Sequence, residues 1–177
     1  QVNVITKSGA NAVHGSVFEY LRNDKFDAPN YFDTLAGLPK STLKQHQFGG
    51  SLGGPIMKNR AFFFSSYEGY RLDAGVNFVE AVPSPAAWAR AVPAIANLRP
   101  GFTSSAAVIL PGASASPDFD IAQLQGLQEV RENAFSARLD FKMSDNWSMY
   151  GRLFHDRGTN VQPEGVSGRS VRITDNP

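Results

Sequence analysis

A few groups of side chains in this sequence have the types and spacing that could carry chemistry. Gly49-Gly50-Ser51-Leu52-Gly53 fits the Gly-x-Ser-x-Gly of a hydrolase nucleophile elbow, and His155 with several aspartates downstream would supply a triad order. That elbow needs a strand, a sharp turn and then a helix to present the serine. Here Gly54-Pro55 follows, then a turn and a Phe-rich run, so a structural role for Ser51 is the better expectation. Glycines in such a strand let another element approach the backbone closely. His14, His46 and His155 have no ligand partner at metal spacing, and Asp24, Asp27 and Asp33 lack the spacing and terminal Glu of a calcium loop. No Gly-Lys-Ser/Thr follows the glycine cluster, so it is not a phosphate-binding loop. No catalytic, metal or cofactor site is therefore expected, and the chain does not read as an enzyme.

A charged set remains. Arg138, Asp140 and Lys142 alternate with Phe135, Ala137, Leu139 and Phe141, and Arg152 lies on the polar parity of the next run. This is period-2 amphipathicity, the signature of a strand with unlike faces. The charged face would bind solute or another element, or it would simply be solvated.

The elements that must position these residues are strands. Across 177 residues, 42% are hydrophobic and only 19% charged, with Gly, Pro and Phe plentiful, which suits short strands and turns. The formal net charge of +1 offers no field for nucleic acid. Cysteine is absent, which removes disulfides and thiolate metal sites. The start, Gln1-Val2-Asn3-Val4, has no Met, charged n-region or apolar h-region, and no apolar run approaches the ~20 residues of a membrane helix. Together with the absence of a closing element at the end, this reads as an excerpt of a larger protein.

Strands are expected over residues 2–7, 15–22, 45–56, 61–71, 135–142 and 147–156. Tight turns are expected at Met57-Lys58-Asn59-Arg60 and Ser144-Asp145-Asn146. Residues 23–44, 72–130 and 157–177 read as long loops. Within the second, Ser84 would cap a short helix with Pro85 in its first position and Pro93 stopping it, and residues 120–130 would form another short helix. Short turns at one end and long loops at the other is the layout of an outer-membrane barrel. Aromatics at strand ends would form interfacial girdles. Trp88 and Phe102, in the longest loop, would stack on a ligand or pack the loop on itself.

Ordered motifs sharpen this reading. Val2-Asn3-Val4-Ile5-Thr6-Lys7 is similar to the strand that closes the plug domain of TonB-dependent receptors. Lys7-Ser8-Gly9-Ala10-Asn11, His14-Gly15-Ser16, Phe18-Glu19-Tyr20-Leu21-Arg22-Asn23-Asp24, Asn30-Tyr31-Phe32-Asp33, Gln47 to Ile56, Phe62-Phe63-Phe64 with Tyr67-Glu68-Gly69, and Phe135 to Asp140 resemble the Oar-like subgroup of large receptors. The likeness covers most of the first 71 residues and resumes near Glu132. It implies an all-β fold, the N-terminal slice of a large antiparallel transmembrane β-barrel of roughly 22 strands with long extracellular loops and a plugged lumen. Residues 1–8 would be the last strand of the plug and residues 9–177 an incomplete N-terminal part of the barrel. It further implies an outer-membrane location and energised uptake, with the TonB complex, the protein's own plug and outer-membrane lipid as partners. Arg138, Asp140, Lys142 and Arg152 would then face the lumen. The substrate is not legible in the residues. A secreted or surface-bound β-sandwich module for adhesion or binding is the alternative.

Overall fold

The computed structural model describes residues 6–35, 37–113, 116–166 and 170–176. Its strands are β1 (His14–Asn23), β2 (Leu43–Met57), β3 (Ala61–Pro83), β4 (Val108–Leu110), β5 (Phe119–Lys142), β6 (Ser148–Glu164) and β7 (Ser170–Asn176). All seven belong to one antiparallel sheet, ordered β1-β2-β3-β5-β6-β7, with the short β4 paired to β5. No second sheet faces it among the described residues, so the sandwich alternative is not favoured. The expected strand over residues 2–7 lies mostly outside the described residues, and Thr6 and Lys7 are irregular.

The two tight turns form where the sequence places them. Asn59 adopts φ 61°, a left-handed conformation that Asn tolerates better than most residues. Pro55, which cannot donate to the ladder, sits at the register shift ending β2. Both turns lie at one end of the sheet, opposite the connections at 24–42 and 84–118.

Three expectations are corrected. The loop at 72–130 is strand at both ends: β3 runs on to Pro83, and β5 starts at Phe119, so that 23 consecutive residues of β3 pair without a slip. The short helix expected over 120–130 is part of β5. Its Gln- and Leu-rich sequence has fair helix propensity, but Gly126 interrupts it, and pairing with β3 supplies a complete ladder instead. The polar stretch after Arg157 is likewise not a loop, because β6 continues to Glu164 and returns as β7. Polarity misleads here because these strands carry no long apolar side to hide. A short helix, α1 (Tyr31–Leu35), lies in the connection after β1, and within the long loop the expected helix is present as α2 (Pro85–Arg90), capped by the Ser84 hydroxyl. Pro93, however, opens a further turn of helix, α3 (Pro93–Ala96), followed by α4 (Arg99–Phe102).

Opposed residues of an antiparallel pair share a face, so the register sorts every side chain. On one face, near the turns, run the rows Leu52–Ser65–Ala137–Leu153 and Gly54–Phe63–Leu139–Gly151. The leucines of these rows are bare, with Leu139 57% and Leu153 59% exposed. On the opposite face at the same height, Ser16, Ser51, Ser66 and Ser136 form one row across four strands. An apolar band outside, with a serine row inside that ends at Phe154 on β6, fits a wall between lipid and lumen.

Farther from the turns the pattern inverts. Above Tyr67, the outer face carries Arg71, Asp73, Glu129 and Arg131, with an ion pair between Arg131 and Asp73. There the inner face carries Phe78 opposite Leu124 alongside Glu80 and Asp120, and the small core of Val82, Ala122 and Val166 lies beneath the long loop. A strand of 23 residues is about 75 Å long, whereas crossing a bilayer takes about 10 residues. The upper half of the β3–β5 ribbon therefore stands in water, where the ordinary rule of apolar inside applies.

Candidate functional site

The inner face offers two places with chemistry, one at the turn end and one under the long loop. At the turn end, alternation along β5 puts Arg138, Asp140 and Lys142 on the inner face, and register places Arg152 directly across from Arg138. Arg138 is largely buried. Its Nε and Nη2 donate to the Asp140 carboxylate at 2.9 and 2.7 Å, and its guanidinium stacks 4.4 Å from the Tyr150 ring centre. The remaining arm, Nη1, donates to the carbonyl and hydroxyl oxygens of Thr6, at 3.1 and 3.0 Å. A planar guanidinium suits this fork, whereas a lysine would reach only one partner well.

Lys142 leaves this group and donates to Asp145 in the turn at 2.9 Å. That hydrogen bond, together with the lysine's charge, holds the Asp145 carboxyl below its ordinary pKa. Arg152 is exposed beside the group. Of the four charged residues expected on the inner face, two thus form a unit, one serves the turn and one stands free of it.

The chain's first described residues run across this end of the sheet. Gly9 lies against the carbonyl oxygens of Gly54 and Phe63, so close that a Cβ would overlap both. Asn11 and Asn59 then bond reciprocally, at 2.6 Å from the Asn11 amide and 2.7 Å to the Asn11 carbonyl. Sequence reasoning missed Thr6, Asn11 and Asn59 as partners, because nothing local marks a contact between such distant residues.

Ser51 sits in mid-strand, its hydroxyl 3.0 Å from that of Ser16. No helix follows it, and His155 lies on the opposite face, across from Phe135. The elbow geometry is absent. Its neighbours Gly49 and Gly53 are instead filled over by Phe18 and Phe64.

At the other end, α2, α4 and the segment leading to β4 border a half-open cavity of about 490 Å³ against the tops of β3 and β5. Trp88 lines it, and Phe102 meets Trp88 edge-on with ring centres 5.5 Å apart. The two aromatic rings picked out from the loop therefore pack on each other, and one of them also faces the cavity. Arg99 and Asp120 line the same space, and no sequence signal had marked either. The turn after β6 closes the region from below, where the Val166 amide donates to Glu80 at 3.1 Å and Ser104 donates to the Val166 carbonyl at 3.0 Å.

No curated protein matches the chain, and no solved structure does. A family model described as "Outer membrane beta barrel domain" matches residues 5–176. That description agrees with the single antiparallel sheet, the apolar outer band and the one-sided turns, and it points to the outer membrane as the location. Matched over nearly its whole length, the chain belongs to the outer-membrane β-barrel domain family.

Proposed function

We propose that this chain is part of a TonB-dependent outer-membrane transporter of the Oar-like kind, which takes up a solute into the periplasm by binding and energised transport rather than by catalysis. In this reading residues 1–8 end a plug, residues 9–177 begin a larger barrel, and β1 and β7 pair with strands or chain beyond this sheet. The observation that carries it is the course of the first described residues. Thr6, Gly9 and Asn11 are held on the inner face at the turn end, where a plug-to-barrel connection would run. The ordered motifs from Lys7 to Gly69 and from Phe135 to Asp140 give it further support. The partners in this reading are the TonB complex, the plug and outer-membrane lipid, with no cofactor and no nucleic acid.

The test is uptake by the full-length protein. Outer membranes should contain it as a heat-modifiable barrel, and accumulation of its solute should stop when TonB is deleted. A heat-modifiable barrel whose uptake is indifferent to TonB would leave the family standing and overturn the transport mechanism.

A further inference from the structure

The cavity under the long loop has a charge pattern that specifies a ligand class. Between Ser84 and Asp120 the sequence carries four charged residues: Arg90, Arg99, Asp118 and Asp120. Arg90 and Asp118 form an ion pair with each other. Arg99 and Asp120 both line the cavity, yet among the described residues neither has an ion-pair partner. Trp88, Val82 and proline rings supply the apolar part of the same lining. Of the hydroxyls at its edge, Ser104 is engaged by the Ala106 amide, while Thr103 and Ser105 are available.

One cationic and one anionic group, neither with an ion-pair partner among the described residues, in a lining that is partly apolar, complement a molecule with the reverse arrangement. A carboxylate would take the Arg99 fork, an ammonium would take Asp120, and an apolar body would lie on Trp88 and the prolines. A cavity of about 490 Å³ is within the usual range for small-ligand sites. We infer that this cavity binds a zwitterionic solute with an apolar body, in the class of short peptides, as the outermost recognition site of the transporter. The inference rests on the transport reading above and adds the substrate class to it. An uncharged sugar would use the tryptophan and the hydroxyls but would leave both charges unanswered.

The experiment uses the full-length protein purified from outer membranes, first shown to be heat-modifiable. The probe is radiolabelled L-leucyl-L-phenylalanine, compared with its N-acetyl and C-terminal amide forms by equilibrium dialysis. Capping either end should weaken binding by about tenfold or more, because each removes a charge-assisted hydrogen bond. Arg99→Gln should abolish discrimination between acid and amide, and Asp120→Asn should abolish discrimination between free and acetylated amine. Arg99 lies in α4 and Asp120 near the start of β5 opposite Val82, and both substitutions keep the size of the side chain, so the sheet should stay intact, which heat-modifiability checks. A well-assembled barrel that ignores the dipeptide, or binds the capped forms equally well, overturns the inference and leaves the transport reading untouched. A protein that is not heat-modifiable overturns the transport reading itself, and this inference with it.

Discussion

Arg138 and Thr6 lie 132 residues apart in sequence, and the guanidinium of one holds both the carbonyl and the hydroxyl oxygen of the other. The contact is possible because Asp140, two residues on and facing the same way, fixes the other side of the fork. It ties the start of the chain to the barrel wall at the end nearest the turns.

Replacing Arg138 by Ala should free that start without opening the sheet. Loss of a charged hydrogen-bond donor that leaves the Asp140 carboxylate largely buried costs about 2 kcal/mol. Limited proteolysis should then cut near Thr6 at least several-fold faster, while heat-modifiability stays normal. Arg138→Lys should restore little, since a lysine cannot span both partners. Unchanged cleavage in both variants would contradict the anchor.

Height on the outer face should decide the cost of a charge. Leu139 and Val79 both point outward, but Leu139 lies in the apolar band and Val79 far above it. Leu139→Arg should destabilise the barrel by about 2–4 kcal/mol in a bilayer. Val79→Arg should stay within about 0.5 kcal/mol of the parent. Equilibrium unfolding from lipid vesicles measures both, and equal costs would mean that the band does not meet lipid.

The small core above the membrane should unfold on its own terms. Val82→Ala removes two methyl groups from a site only 3% exposed, at a cost of about 1–2 kcal/mol. The loop at 84–118 should become easier to digest, yet the barrel should remain heat-modifiable, because the membrane-spanning rows do not touch Val82.

Acid should loosen the hairpin turn between β5 and β6. The Asp145 carboxyl titrates below its usual value because Lys142 bonds to its charged form. A depressed carboxylate pKa contributes stability above the unfolded value, and that contribution is lost as pH falls through the folded one. Carboxyl-carbon NMR should show the Asp145 midpoint rising in Lys142→Ala. A midpoint that does not move would remove the pair from the account.

How much of this was legible in the sequence follows from what each signal depends on. Strict alternation over residues 135–142, and a looser one over 147–156 that Phe154 and His155 break, revealed strands because lipid on one side and polar groups on the other favour it. The tight turns showed through local chemistry, with Asn59 taking the left-handed conformation. The outer halves of β3, β5 and β6 were hidden because they stand in water. There polar residues appear on both faces and the pattern fades, as in Thr159, Asn160 and Gln162. Among the site residues, Arg138 and Asp140 could be placed on one face by parity alone. Thr6 and Asn59 needed the fold, since only the sheet brings the first residues to the turns. Arg99 and Asp120 needed the cavity, which forms where loop and ribbon meet.

The central claim is that one face of this sheet meets lipid and the other a lumen. These 177 residues hold no cysteine, so single cysteines at positions 134 to 141 can be introduced one at a time, with the unmodified parent as the labelling background. In intact outer membranes, Phe135→Cys, Ala137→Cys and Leu139→Cys should react with a membrane-soluble maleimide and resist a charged one. Cysteines replacing Ala134, Ser136 and Arg138 should resist the membrane-soluble reagent. Period-2 alternation of this kind is the predicted result. Uniform reaction of all positions with the charged reagent would contradict the account.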